Sequence, residues 1–169
     1  GVFCVCRMKD CDLHVENVRP GGRYLALENI QDPANLGSVL RTAEALGIDG
    51  VILAGECCDC YSPKALRASM GAVFRLPLFQ AENMPEAFAE LEQSGFKTFA
   101  AVPDEDAVPI TSCDFRGGVV VAVGNEGNGL TAEAINASGT KVTIPMKGRA
   151  ESLNAAASAA ILMWEMMRL

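Results

Sequence analysis

Val119-Val-Val-Ala-Val123 runs directly into Gly124-Asn-Glu-Gly-Asn-Gly129. Five consecutive apolar residues are the pattern of a strand covered on both faces, which is the usual condition of a strand in a parallel sheet. Working outward, shorter β-rich runs at 24–28, 51–53, 96–101 and 141–144 alternate with helical patterns. That alternation predicts βα units, hence an α/β fold with a mainly parallel sheet and helices on both faces.

The first helix is expected to begin after Asn35, a capping residue type. It carries Leu36, Val39, Leu40, Ala43 and Leu46 on one stripe and stops at Gly47. Ser62 and Pro63 open a second helix, Pro85 opens a third that ends near Ser94 and Gly95, and Thr131 caps a fourth. The last opens at Ser152 and is apolar nearly all round through Trp164, which predicts burial in the core or in a subunit interface. Residues 102–114, with their prolines and acids, are expected to form a surface loop.

A chain of 169 residues is long enough for a single domain with one core, and half hydrophobic residues with 21% charged exclude a disordered, collagen-like or coiled-coil protein. The longest apolar stretches fall short of the ~18 residues that a bilayer span needs. Acids outnumber bases 21 to 14, so the net charge of -7 does not attract a polyanion as a basic nucleic-acid-binding domain would. The opening Gly1-Val-Phe-Cys-Val-Cys6 has neither an initiator Met nor the regions of a signal peptide, and is expected to be a cut inside a longer chain.

Seven cysteines, an odd number, fit reduced thiols in the cytoplasm better than a disulfide scaffold. Cys57 and Cys60 form a C-x-x-C with Cys58 between them, and Cys4, Cys6 and Cys11 lie near His14. There is no second C-x-x-C, so no metal site is expected.

Three segments concentrate Gly, Asn and isolated charges at strand ends, where an open α/β sheet places its ligands. The first, 29–41, leads through Asp32, Pro33, Asn35 and Gly37 into a helix bearing Arg41, away from the Leu36 and Leu40 stripe. A guanidinium there reaches a phosphate or carboxylate, although a solvated helix arginine has the same signature. In the second, 124–129, three glycines permit close approach to a ligand, and Glu126 between turn glycines is unusual for a plain turn. The third, 144–154, ends at a helix start where free N–H groups beside Ser152 and Asn154 can bind a base edge or a carboxylate, with capping as the simpler role for Ser152. Neither the Rossmann nor the P-loop glycine spacing occurs, and no Ser/His/Asp set is present.

Together Asn35-Leu-Gly-Ser-Val-Leu-Arg-Thr-Ala43, Val123-Gly-Asn-Glu-Gly-Asn-Gly-Leu130 and Ile144-Pro-Met146 with Ser152-Leu-Asn154 resemble the SpoU (TrmH-like) branch of the SPOUT superfamily. These are S-adenosylmethionine-dependent RNA 2'-O-ribose methyltransferases. Three motifs in register are specific where any one would be weak, and the run from Ser62 to Pro77 is similar too. The resemblance implies a C-terminal deep trefoil knot, a rare topology that periodicity does not reveal. It also implies S-adenosylmethionine held by backbone groups around Gly124, Ile144, Met146 and Leu153, and a homodimer. Residues 21–169 would be the catalytic domain, and residues 1–20 a linker or the end of an N-terminal RNA-binding domain.

By the same resemblance Arg41 meets the ribose hydroxyl or its adjoining phosphate, while Asn35, Glu126, Ser152 and Asn154 order the substrate. Structured RNA, ribosomal rather than transfer RNA, is the expected substrate. The rival from another class is a non-catalytic RNA-binding or ribosome-assembly module on the same fold.

Overall fold

A computed structural model of the chain describes residues 1–2, 5, 11–104 and 106–168. The expectations placed on Cys4 and Cys6 lie outside them. Among the described residues one sheet contains β1 (Arg23–Glu28), β2 (Gly50–Ala54), β3 (Leu78–Ala81), β4 (Lys97–Ala101), β5 (Val108–Pro109), β6 (Val119–Val123) and β7 (Thr140–Thr143). The order is β3-β2-β1-β6-β4-β7-β5, and every pairing is parallel. β6 lies centrally between β1 and β4, and all five of its residues are buried, as its uninterrupted apolar run requires.

The two-residue period of the strands divides the core. Leu25, Leu27, Val51, Leu53, Val121 and Val123 face a layer containing α1 (Pro33–Leu46) and α5 (Ala155–Met167). Tyr24, Ala26, Ile52, Val120 and Ala122 face α3 (Met84–Gln93) and α4 (Ala132–Ala137) on the other side. Helices therefore cover both faces. α2 (Pro63–Ser69) lies on α1 where Gly37 allows it: a Cβ at Gly37 would sit 2.5 Å from the Ala68 side chain and 2.6 Å from the Ala65 carbonyl oxygen. From β7 the chain returns across the sheet to lay α5 against α1. That return is consistent with the expected threading.

Two expectations need correction. α1 starts at Pro33 under an Asp32 cap, and Asn35 lies inside its first turn: Pro33 preorganises the first helical position, while the Asp32 carboxylate accepts the Ala34 N–H at 2.9 Å. α5 starts at Ala155, capped by Asn154 rather than Ser152, because the Asn154 amide oxygen accepts both the Ala156 and the Ala157 N–H. Within a single chain α5 is buried on one face. It buries Ala155, Ala159, Leu162, Met163 and Met166, and leaves Ile161 and Trp164 exposed, because α1 and the sheet cover only one of its faces.

Residues 102–114 are more ordered than a plain surface loop. They contain β5 and a 3-10 turn at Ile110–Ser112, pinned by the buried Ala107 and Ile110. β3 was not anticipated either, since a four-residue run with only Phe79 buried offers no periodicity to read. Residues 11–22, ahead of β1, are tied to the domain. Leu13 donates its N–H to the Gln80 carbonyl at 2.7 Å, and Arg19 pairs with Asp49 at 2.8 Å.

Candidate functional site

The three segments singled out in the sequence converge at the C-terminal ends of β1 and β6. Glu126, in the turn after β6, accepts three hydrogen bonds from the first segment: the Asn35 side-chain amide at 3.0 Å, the Asp32 N–H at 3.2 Å and the Gln31 N–H at 3.3 Å. The Asn35 amide oxygen in turn accepts the Asn154 side-chain N–H at 3.1 Å. Asn154 keeps its own oxygen on the α5 cap. A single hydrogen-bonded line, Glu126–Asn35–Asn154, thus ties the turn after β6, the first turn of α1 and the start of α5. Asn35 is free for this bridge because Asp32 does the capping.

Partial withdrawal from water pushes the Glu126 carboxyl up, and the donors from Asn35, Gln31, Asp32 and its own backbone N–H more than reverse it. The net effect holds Glu126 below the usual carboxylate range, hence charged at neutral pH. Asp32 is held down too, chiefly by the Lys64 ammonium 2.8 Å away.

Arg41 does not join this line. It lies six residues beyond Asn35, about 9 Å farther along the helix axis and on another side of it. Its guanidinium is exposed and makes no hydrogen bond or ion pair among the described residues. Ser152 is exposed and does not cap the helix; Asn154 also satisfies two of the N–H groups that were expected to be free at the start of α5.

Gly124 is required by the fold itself. A Cβ there would lie 2.1 Å from the Gly129 carbonyl carbon and 2.1 Å from the Leu130 nitrogen, so its missing side chain makes room for the chain's own return. The turn is closed by paired hydrogen bonds between Asn125 and Gly129 at 3.0 and 2.9 Å. In the third segment Ile144 packs against the core, while Met146 and Leu153 are exposed. Among the described residues, backbone groups 145–153 make no backbone hydrogen bonds to one another or to neighbouring loops.

Sequence reasoning missed three residues that hold the turn in place. Glu28, buried at the end of β1, accepts the Thr131 N–H at 2.7 Å and its hydroxyl at 3.0 Å. Asn125 donates to the Asn29 carbonyl at 2.8 Å. Asn29 adopts a left-handed backbone (φ 55°) and accepts the Glu56 N–H at 2.8 Å. An Asn directly after an apolar strand was the readable signal, because Asn tolerates that region better than most residues. Glu28→Gln keeps the volume but offers Thr131 one acceptor fewer. It is expected to lower the melting temperature by about 2–4 °C, a loss of ~1 kcal/mol; differential scanning calorimetry checks it.

The cysteine-rich region adjoins the first segment: Cys58 donates its N–H to the Ile30 carbonyl at 2.8 Å. Cys11, Cys57, Cys58 and Cys60 border a cleft of about 530 Å³ beside the ends of β2 and β3. Burial pushes the Cys57 thiol up and the Cys60 thiol to about 11, so both stay protonated at neutral pH. Among the described residues no group of three His, Cys, Asp or Glu side chains is placed to hold a metal ion, and no helix is long and apolar enough to cross a membrane.

Comparison with known proteins places this geometry. The 23S rRNA (guanosine(2553)-2'-O)-methyltransferase RlmP of Bacillus subtilis is 33% identical over 156 residues, 92% of this chain and 62% of that protein. An AdoMet-bound rRNA methyltransferase from Sinorhizobium meliloti superposes with a TM-score of 0.83 at 36% identity, over 89% of this chain and 57% of that one. The SpoU methyltransferase AviRb from Streptomyces viridochromogenes, in complex with AdoMet, gives 0.85 at 32% identity, over 95% of this chain and 62% of its own. The chain spans about half to three fifths of the length of the curated relatives it matches. Residues 22–164, which contain all three converging segments, match the model of the SpoU rRNA methylase family, and the chain belongs to that family.

Proposed function

We propose that the chain is the catalytic part of an S-adenosylmethionine-dependent RNA methyltransferase that acts on a ribose 2'-hydroxyl, with ribosomal RNA as the substrate class. The observation that carries this reading is the Glu126–Asn35–Asn154 line, which joins three segments distant in sequence into one polar site at the strand ends. The family match over residues 22–164 supports assigning 21–169 as the catalytic unit. The choice of ribosomal RNA and of the 2'-oxygen leans on the RlmP relative, whose name specifies both.

The donor set suits S-adenosylmethionine. Unused backbone amides and carbonyls at 145–153 match a neutral adenine edge, and the exposed Met146 and Leu153 with the half-buried Ile144 supply apolar cover. Gly124 keeps the turn after β6 tight beside them. When bound, S-adenosylmethionine supplies a methyl group on a sulfonium, already a good leaving group. The protein's work is therefore positioning and charge control.

Asn35 presents its amide between Glu126 and Asn154 and fixes the site wall. Arg41, unpaired, binds the phosphate next to the reacting ribose and offsets developing charge, as a planar guanidinium does better than an ammonium. The hydroxyl proton passes to a phosphate oxygen or to water. Ser152 lies on the same loop as a substrate contact. The exposed Ile161 and Trp164 of α5 are the surface through which two copies pair, and the cytoplasm is the compartment in which ribosomal RNA and reduced cysteines coexist.

The test is a thermal melt with S-adenosylmethionine and, separately, S-adenosylhomocysteine. At a hundredfold excess over Kd the linkage is ~2.7 kcal/mol, or roughly 5–10 °C for a chain of this size. Transfer of labelled methyl to ribosomal RNA, recovered as a 2'-O-methylnucleoside, completes the assignment. Absence of any shift at millimolar ligand would favour the non-catalytic RNA-binding or ribosome-assembly module.

A further inference from the structure

Two large apolar side chains stand out of the ordered domain next to α2: Met70 is 66% exposed and Phe74 65%. Both belong to the tight connection after α2, where Met70 closes the helix in a left-handed conformation (φ 51°) and a 3-10 turn spans Ala72–Phe74. The turn is anchored from below by the buried Ala72 and Val73, so the Phe74 ring is held outward by a fixed backbone. It has one aromatic neighbour, Tyr61, whose ring centroid lies 6.3 Å away with the planes tilted by 33°.

Positive charge surrounds this ring. Lys64 and Arg67 are exposed on α2 at a spacing of three, leading toward Met70. Arg75 follows Phe74 directly. Arg41 belongs to the same surface through the helical phase of α1. Gly37 lies under α2, Glu44 pairs with Arg75 at 2.7 Å, and Arg41 is four residues after the first and three before the second. Lys64 and Arg75 are neutralised by Asp32 and Glu44, whereas Arg41 and Arg67 have no acidic partner among the described residues. An outward-facing aromatic ring on a turn packed against the two helices that carry these unpaired guanidiniums is unusual in a chain of net charge -7.

We propose that Phe74, backed by Tyr61, is a stacking platform for one unpaired base of the RNA strand, and that Arg67 and Arg41 take the phosphates on either side of it. The chemistry fits a single-stranded nucleotide: every base has a π-face for the ring, while the arginines meet the backbone without regard to sequence. The proposal rests on the RNA reading above and extends it, since Arg41 then links the platform to the reacting ribose. The substrate nucleotide is presented from a loop, bulge or frayed end, because a paired base has no free face to offer.

The test is fluorescence anisotropy with a short labelled RNA of mixed sequence, single-stranded and annealed to its complement, on the whole chain and on Phe74→Ala, Phe74→Tyr and Arg67→Glu. The unaltered chain is expected to prefer the single strand. Phe74→Ala should weaken single-strand binding about tenfold, the loss of one base–aromatic stack, with Phe74→Tyr restoring it. Arg67→Glu should weaken both RNAs and flatten the salt dependence.

Unchanged single-strand affinity in Phe74→Ala at an unaltered melting temperature would overturn the proposal. So would its conversion from dimer to monomer in sedimentation, which would give the ring to a second copy. The melting shift with S-adenosylmethionine, read on the same preparations, separates the two readings. A normal shift without preference for the single strand removes the platform alone, and a preserved preference without a shift removes the methyltransferase reading alone.

Discussion

Asn35→Asp is expected to cut methyl transfer at neutral pH about a hundredfold and to regain much of it as the pH falls. The Asn35 side-chain N–H that now meets Glu126 at 3.0 Å becomes a carboxylate oxygen facing another carboxylate. Like charges at that distance cannot both ionise freely, so one carboxyl of the new pair is raised above its ordinary pKa. Near neutrality the pair repels and the line to Asn154 opens. Displacement of about 1 Å at a positioning group is enough to cost ~10²-fold in rate. Once the pH drops through the raised value, a shared proton bridges the two carboxyls and rebuilds the missing donor. Asn35→Ala has no such route back and stays slow throughout.

The two variants therefore separate a hydrogen-bonding role for Asn35 from one of bulk alone. In the unaltered protein the sign is the reverse. Glu126 has a lowered carboxyl, so its stabilising contribution is complete above the ordinary carboxylate pKa and is lost as the pH falls through the lowered one. Initial rates measured from weakly acid to neutral pH check the first statement, and melting temperatures followed to below the ordinary carboxylate pKa check the second. Equal losses for Asp and Ala at every pH would refute the shared-proton account.

How much of this was legible in the sequence follows from which interactions are local. β1, β2 and β6 could be read because burial on both faces writes itself as an unbroken apolar run, and the α1 stripe because 3.6-residue periodicity does the same. β3 and β5 could not, since each owes its existence to a neighbour strand rather than to its own pattern. The starts of α1 and α5 were misread for one physical reason, whereas the Ser62 and Thr131 caps stand as expected. Asp32 and Asn35, like Ser152 and Asn154, are all competent caps, and only the fold decides which side chain turns to the backbone and which is released for the site. Pro33 was the available clue that the cap lay earlier.

The site itself spans sequence separations of 91 and 119 residues, distances at which spacing carries no information. Its members were named because three motifs resembled a family in register. Arg41 was named by the same route, and helical phase sets it on the stripe of α1 that faces α2.

Gly124→Ala is expected to produce the largest loss of stability of any single change considered, ~3 kcal/mol or more, seen as a fall of about 6–12 °C in melting temperature. The added methyl would meet backbone on both sides of the Gly129–Leu130 peptide at 2.1 Å, far inside van der Waals contact and with no flexible side chain to move away. The turn must open. Opening it strains the paired Asn125–Gly129 hydrogen bonds, shifts Thr131 from Glu28, and draws Glu126 off Asn35. The fault thus passes from a crossing of two backbone segments to the centre of the proposed site, so the melting shift with S-adenosylmethionine should vanish along with the stability. Gly148→Ala is the matched control. It lies in the third segment with open space around it, and should leave the melting temperature of the unliganded chain unchanged. If Gly124→Ala melted like the unaltered chain, the close return of residues 129–130 on 124 would be wrong, and with it the account of how Glu126 is held.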